Sequence, residues 1–437
     1  MTGEAALGRD FRRLWSALSI SLMGSEITVL ALPLIAVVTL DVSAFEMGLL
    51  AFAGQLPFLL CSLPAGVFVD RVRRLPVLVG ADVAAAALLL TLPLSAPFGG
   101  PAYAQLCVVA FGVGTCSVLS EVAHYAYVPT LVGRARLTEG NSRLQISHSA
   151  SASAGPGLGG VLIQFLSATG AVILDAVSFL VSAVLLRSIR KPEDPPGDGQ
   201  AAVSVRRSLA QGLRALFRHR LLRPIILEGA VASFFESGLL AIYVLYATRE
   251  LGLNPLTIGL VFACGGVGAI PGALLARWAG ARFGIGRAII GGWILAGFAL
   301  LMVPLAGGPA LVVVAVLAAG RALGALTDTV ANIHQWSLRQ VVTPDHLAGR
   351  VTASQRFIVY GSGAVGALVA GALGSGVGLR PTLFVCAVGC LLAPLVVVFS
   401  PLRRLREQPL PEEDPGPFAP AGPAAPADVP AEPGKTG

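Results

Sequence analysis

Residues 151–160 read SASAGPGLGG and run without a break into VLIQFL. In water this is a poor helix, since each glycine costs about 1 kcal/mol and an interior proline about 3. In lipid the ranking changes: small residues let helix backbones approach closely, and neighbouring groups satisfy the carbonyl that a proline frees. The stretch therefore reads as a packing surface on a membrane-spanning helix. The composition agrees, because 55% of the 437 residues are hydrophobic and 13% charged, against about 25% charged in a soluble domain. Mean hydropathy is +0.77.

Runs of about 20 apolar residues, enough to cross roughly 30 Å of hydrocarbon, occur twelve times: at 14–38, 46–68, 76–96, 102–124, 145–167, 170–189, 222–247, 256–278, 286–306, 309–333, 353–375 and 380–400. The first is too long for a signal sequence and no small-residue cleavage site follows it, so it is expected to remain in the protein. The net charge of +7 is distributed by loop rather than gathered into a nucleic-acid patch. Arginines crowd alternate loops, at Arg9, Arg12 and Arg13, at Arg71, Arg73 and Arg74, at Arg134, Arg136 and Arg143, from Arg187 to Arg223, at Arg277, Arg282 and Arg287, at Arg339 and Arg350, and at Arg403, Arg404 and Arg406. The intervening loops hold almost none, Arg249 and Arg380 being the exceptions. By the positive-inside rule both termini lie in the cytoplasm and the number of spans is even. The expected setting is the inner (plasma) membrane, with the lipid bilayer as partner, no nucleic acid, and a monomer.

The longest interior polar segment divides the spans six and six. It gives a bundle at 1–190, a linker at 191–221 and a second bundle at 222–402, with a Pro/Ala/Glu-rich tail at 403–437 that cannot bury a core and is expected to be disordered. Residues 203–220 are expected to form an amphipathic helix, either on the membrane surface against anionic lipid or as a solvated linker. A shift of about 210 positions aligns the halves: Glu26 with Glu236, His124 with His334, Leu137 with Leu347, and, at 211, Gly48-Leu49 with Gly259-Leu260. Two copies of a six-helix unit in the same orientation place a substrate site between them near mid-membrane.

Ionisable groups inside spans are costly and mark function by default. Glu26 and Glu236 lie near the middle of spans one and seven, and related by an axis along the membrane normal they would face a shared cavity. A carboxyl there is placed to bind and release a proton, the alternative being a packing role. Glu121 and His124 fall three apart on span four and could pair; interfacial snorkelling is the other account. Arg321 on span ten could meet an anionic group, and Asp175 is expected to bond a neighbouring helix. Asp328 and His334, six apart, do not share a face. The six cysteines all sit in apolar runs without metal-ligand or disulfide spacing. No Walker A, nucleophile elbow or HExxH occurs, so neither an enzyme nor a cofactor or metal is expected.

The loop between spans two and three, GVFVDRVRR at 66–74, carries the most specific pattern. It resembles the loop motif of the major facilitator superfamily: Gly66, Asp70 and Arg71 four and five residues on, and Arg74 three later. Gly66 permits close helix approach, and Asp70 can accept hydrogen bonds from a helix N-terminus across the half interface. The resemblance implies a gate that latches the cytoplasmic side in the outward-open state, with Arg71 and Arg74 making ion pairs, Asp82 among their partners. The second copy, GALLAR at 272–277, keeps the Gly and Arg277 but has Ala276 in place of Asp.

VPTLVGRARLTEGNSRLQ at 128–145 and LDAVSFLVSAVLL at 174–186 extend the resemblance to roughly residues 9–405, on the branch of macrolide efflux pumps and enterobactin-type siderophore exporters. It implies an all-α membrane fold of two pseudo-symmetric six-helix bundles around a central cavity. Gly155, Pro156, Gly159 and Gly160 resemble the GPxxGG core of the span-five motif of the superfamily's antiporters, which implies a pliable hinge packed against the opposite half. Span eleven offers the small-residue stretch GSGAVGALVAGALG at 361–374. Span four, FGVGTCSVLSEVAHYAYVP, lacks the Arg and Gln of many drug/proton antiporters, so Glu26 is expected to carry the proton. The implied function is export of an amphipathic, macrolide-like small molecule by proton antiport. Alternatives are a siderophore exporter and a non-transporting membrane sensor.

Overall fold

The computed structural model describes residues 8–133, 136–193, 205–343 and 345–407. The tail beyond 407, Arg134, and the Asp70 side chain, on which parts of the sequence reading rest, lie outside the described residues.

The helices are α1 (Arg9–Leu34), α2 (Ala44–Arg71), α3 (Arg74–Leu94), α4 (Tyr103–Val132), α5 (Leu137–Arg187), α6 (Val205–Arg218), α7 (Leu222–Arg249), α8 (Pro255–Phe283), α9 (Ile285–Leu305), α10 (Ala310–Val342), α11 (Asp345–Val377) and α12 (Leu379–Leu392). The last span continues through Leu395–Val398. Eleven helical segments are long and apolar enough to cross a membrane, and α5 supplies two passes. Its 51 residues would run about 77 Å if straight. Instead Ser167 leaves helical geometry at φ 70° and ψ 163°, and its hydroxyl accepts the Gly170 amide at 3.2 Å to start the second pass. Twelve passes result, as the apolar runs predict. The helices extend past the hydrophobic windows on the side that carries the arginine-rich loops, here called the basic face.

Within the first half α1 packs on α5, α2 on α4, and α3 on α4 and α5; within the second, α7 packs on α11 and α12, α8 on α10, and α9 on α10 and α12. The halves meet where α2 lies on α11 and α5 on α8. These two contacts exchange under the 211-residue shift, and glycines show how closely. A methyl group at Gly160 would stand 2.7 Å from the Gly259 Cα, and one at Gly371 would stand 2.8 Å from the Gly48 Cα. Gly160 shifted by 211 is Gly371 and Gly48 is Gly259, so one backbone-to-backbone contact is made twice. The same shift relates two helix starts: Ser43 and Glu46 form a capping box on α2, and Asn254 accepts the Thr257 amide at 2.8 Å on α8.

The buried apolar residues divide by face. Opposite the basic face one continuous cluster joins both halves, running from Ile27, Leu34 and Met47 through Leu239, Tyr246 and Leu383. Toward the basic face each half keeps its own, around Phe11, Leu14 and Tyr127 in the first and around Ile225, Ile289 and Leu338 in the second. The far face is sealed, and Asp41 pairs with Arg249 across the halves there. Arg249 is one of the two exceptions to the charge alternation. The other, Arg380, donates to the Pro304 carbonyl at 2.8 Å and to the Ala306 carbonyl, capping the end of α9.

The linker helix departs from expectation. Helix α6 is amphipathic, but protein covers its apolar side: Leu216 is buried against Leu222 and Val351, Gly212 lies on the Arg350 backbone, and Ser354 donates to the Leu209 carbonyl at 3.3 Å. Asp175 behaves as read. Fully buried, it accepts from Thr28 of α1 and from Ser178 at 3.1 Å. Interhelical hydrogen bonds in membranes contribute about 0.6 kcal/mol on average and up to about 1.7. Asp175→Ala removes both and leaves the Thr28 hydroxyl unpartnered, so a loss of about 1–2 kcal/mol is expected, read as a drop of a few degrees in the thermal midpoint of detergent-solubilised protein. An unchanged midpoint would show that the contact is dispensable.

Candidate functional site

The glycine-rich stretch of α5 touches two neighbours at once. Gly155 and Gly159, four apart and so on one face, receive α1: a methyl at Gly155 would overlap the Glu26 side chain, with Glu26 Cγ 2.8 Å away, and one at Gly159 would stand 3.2 Å from the Ile27 Cα. Gly157 and Gly160 receive α8 at Ala263 and Gly259, and Ser153 fills the space beside Gly266. The close packing expected against the opposite half is therefore present, with α8 as the partner. The small-residue stretch of α11 packs instead on α2. Sequence periodicity fixed neither rotation.

Glu26 is half-buried against Gly155 and makes no hydrogen bond or ion pair with any described residue. It lines neither of the two cavities described next. Glu236 lines the cavity of the second half. Glu26 packs on Gly155 of α5, and the cavity that Glu236 lines does not include it.

The first-half cavity, about 740 Å³ counting its open mouth, lies among α1, α2, α3, α4 and α5, lined by Ser21, Asp82, Glu121, His124 and His148 among others. Asp82 is 3% exposed and its Oδ2 has no hydrogen-bond partner. It sits two turns into α3, while Arg74 at the start of that helix pairs with Glu193 at 3.3 Å. Asp82 is therefore a cavity group and not the ion-pair partner expected at the gate. The expected Glu121–His124 pair is also replaced. His124 Nδ1 bonds the Ser120 carbonyl at 2.8 Å, and Glu121 reaches across the halves to Arg356 of α11 at 2.7 Å, next to the stacked rings of Phe58 and Tyr360.

The second-half cavity, about 860 Å³ counting its open mouth, lies among α7, α9, α10 and α12. It gathers Glu228, Glu236, Arg321, Asp328, Trp293 and Cys390 with a floor of small residues. Glu236 and Asp328 are exposed to this space, and Asn332 donates to Asp328 at 2.7 Å. Arg321 stacks over Phe262, its guanidinium carbon 5.0 Å from the ring centroid. Sequence reasoning passed over Glu228, which lies near the start of its span where a charge reads as interfacial. The available signal was its spacing: eight residues from Glu236, close to one helical face. His334, the repeat partner of His124, bonds the Ala276 carbonyl of α8 at 2.8 Å.

At the gate, Gly66 has no atom of another described residue within 4 Å of where a side chain would stand, so the close approach expected of it is not made with any described residue. Its counterpart Gly272 does meet a neighbour, the Leu326 backbone of α10. Arg71 and Arg277 are exposed.

Two six-helix bundles joined by a linker, repeated at about 210 residues and meeting through paired glycines, match one family by sequence as well. The family model described as Major Facilitator Superfamily covers residues 14–367 and again 229–430. The chain belongs to the major facilitator superfamily. Members are membrane transporters, not enzymes. The chain is 28% identical to the multidrug efflux pump Tap of Mycolicibacterium fortuitum over 398 residues, 88% of this chain and 93% of the relative. It is 26% identical to the enterobactin exporter EntS of Citrobacter koseri over 425 residues, 93% and 96% of the two chains. By structure it resembles an inward-facing bacterial homologue of the iron transporter ferroportin, with a TM-score of 0.71 at 16% identity over 90% of this chain and 99% of the other, a likeness of fold.

Proposed function

We propose that this transporter is a secondary exporter, moving an amphipathic small molecule out of the cytoplasm in exchange for protons by alternating access. The basic face is cytoplasmic by the positive-inside rule, with both termini on that side of the plasma membrane and the protein acting as a monomer. Halves that share one apolar cluster on the far face and keep separate apolar clusters toward the basic face, where the Glu121–Arg356 ion pair still bridges them, fit an inward-facing state, in which cargo enters from the cytoplasm. Asp70, Arg71 and Arg74, with Gly66 and Arg277, form the latch that closes this side when the halves rock. Names of the relatives point the same way, since both a multidrug efflux pump and an enterobactin exporter move cargo outward.

The observation that carries the reading is the hinge at residues 155–160. The same six residues seat the carboxylate-bearing stretch of α1 on one side and the opposite bundle on the other, so a proton gained or lost at Glu26 acts where the halves pivot. Cells producing the full chain and loaded with a panel of fluorescent amphiphiles are expected to retain several-fold less of at least one than vector controls, with retention restored by an uncoupler. Equal retention of every compound would sink the reading. A siderophore cargo on the same machine is the second reading, favoured by the 93% coverage of this chain by the enterobactin exporter. It predicts restored secretion in a siderophore-producing strain that lacks its own exporter.

A further inference from the structure

A groove between the linker helix and the last span lies outside both cavities described above. It opens at the basic face, where α6 ends at Arg218, α7 begins at Leu222 and the last span ends at Val398, and it encloses about 730 Å³ counting its mouth. One side is cationic, with Arg218, Arg220 and Arg223, and the other is apolar, with Leu227, Val396 and Phe399. Phe399 is 83% exposed, so at this level the apolar side faces the bilayer. The three arginine side chains are exposed and make no hydrogen bond or ion pair with any described residue.

The surrounding sequence supplies no counter-charge. Between 205 and 227 there are six arginines and no Asp or Glu, and between 381 and 406 there are Arg403, Arg404 and Arg406 and again no acid. Glu228, the next acid along α7, is buried and borders the second-half cavity instead. The positive-inside rule accounts for arginines on this face but not for where these stand. Arg223 sits in the first turn of α7 and Arg220 just before it, at the helix end whose dipole favours anions and disfavours cations. Arg218, in the last turn of α6, is the one of the three that its own helix dipole favours. The turn itself is already satisfied, because His219 Nδ1 accepts the amides of Leu221 at 3.2 Å and Leu222 at 3.3 Å. The guanidinium groups are therefore free of any task in holding the turn together.

We propose that this groove binds one anionic phospholipid from the leaflet on the basic face. Arg218, Arg220 and Arg223 take the phosphate, to which planar guanidinium forks donate paired, charge-assisted hydrogen bonds. The acyl chains lie along Leu227, Val396 and Phe399. A free phosphate would use only the cationic side, whereas a lipid uses both, and basic pockets among spans on the cytoplasmic side suit such headgroups. This is not a helix lying in the membrane surface: the apolar side of α6 is covered by α11, where Gly212 meets the Arg350 backbone, and only the end of the helix meets the lipid. A headgroup held there ties the end of the linker to the start of α7 and to the end of the last span. The site stands apart from the export reading, since neither cargo nor coupling proton enters it.

The test is native mass spectrometry of the full chain in a neutral detergent, titrated with phosphatidylglycerol or with phosphatidylcholine. The first phosphatidylglycerol should bind at least tenfold more tightly than phosphatidylcholine. The triple variant Arg218→Gln, Arg220→Gln and Arg223→Gln should lose that preference, and Arg223→Gln alone should weaken it several-fold. Lysine at all three positions should keep most of the affinity, which separates loss of charge from loss of folding. Glutamine at Arg9, Arg12 and Arg282, exposed arginines elsewhere on the basic face, removes the same charge and should leave the preference within about twofold of the parent. Equal binding of the two lipids by the parent would overturn the proposal. So would an equal fall in both triple glutamine variants, which would mean a diffuse surface charge and no site. Excess glycerol 3-phosphate or inorganic phosphate should fail to displace the lipid; displacement by either would assign the groove to a free anion and overturn the lipid.

Discussion

Leucine at Gly160 or at Gly259 is expected to reduce transport to the level of cells without the protein, a loss of at least tenfold, while the protein still inserts in the membrane. The physical cause is the distance between backbones. Already the first side-chain carbon at Gly160 would stand 2.7 Å from the Gly259 Cα and 2.8 Å from the Pro255 carbonyl oxygen, well inside van der Waals contact. Neither obstacle is a side-chain end that can swing away, so α5 and α8 must separate, and the far-face seal that joins the two halves opens with them. The helices keep their own hydrogen bonds, which is why insertion survives. Met47, 2% exposed within the joint cluster, reports the seal. In a background without the native cysteines, Met47→Cys should be inert to a membrane-impermeant thiol reagent added outside the cell, and reactive once Gly160→Leu is added. Gly160→Ala should fall between the two. Gly371→Leu should reproduce the loss, because the repeat makes the same contact with Gly48. Normal transport by Gly160→Leu would mean that the far face closes without the glycine pair.

Much of this architecture was legible in the chain. Twelve apolar runs became twelve passes, and even the break at Ser167 fell between the runs ending at 167 and beginning at 170. The match of Gly48 to Gly259 looked weak as sequence, yet those two glycines turn out to hold equivalent places at the two half-to-half contacts. Orientation about each helix axis was not legible. A glycine stripe says that a backbone comes close and not which backbone, so the partner of α5 was α8 where the α11 stretch had drawn attention. The same limit explains Glu26 and Glu236. Their depth follows from counting residues, but which neighbour each side chain faces depends on helix rotation, and Glu26 packs on Gly155 of α5 while Glu236 lines the cavity of the second half. Glu228 and Asp328 were undervalued for a different reason. A charge near the end of an apolar run has an ordinary explanation at the membrane interface, and only packing shows that Glu228 is turned inward and enclosed.

Glu26→Gln is expected to abolish export against a gradient while leaving the exchange of cargo across the membrane. Glutamine keeps the volume and the half-buried position beside Gly155, so the hinge contact of α1 with α5 survives, but it fixes the side chain in a neutral form resembling the protonated acid. A carrier that must lose this proton to complete its cycle can then shuttle cargo in both directions and gain nothing from a pH gradient. In inside-out vesicles with an acidic interior, cargo accumulation driven by the gradient should fall at least tenfold in the variant, whereas counterflow of labelled against unlabelled cargo should stay within about twofold of the parent. Glu26→Asp, which retains an ionisable group at shorter reach, should recover part of the driven accumulation. The geometry favours Glu26 for this role because no described charge or hydrogen bond holds it in either protonation state, and because its backbone neighbour Ile27 lies on Gly159, next to the Gly160 contact between the halves. Gradient-driven accumulation at the parental level in Glu26→Gln would remove the coupling proton from Glu26.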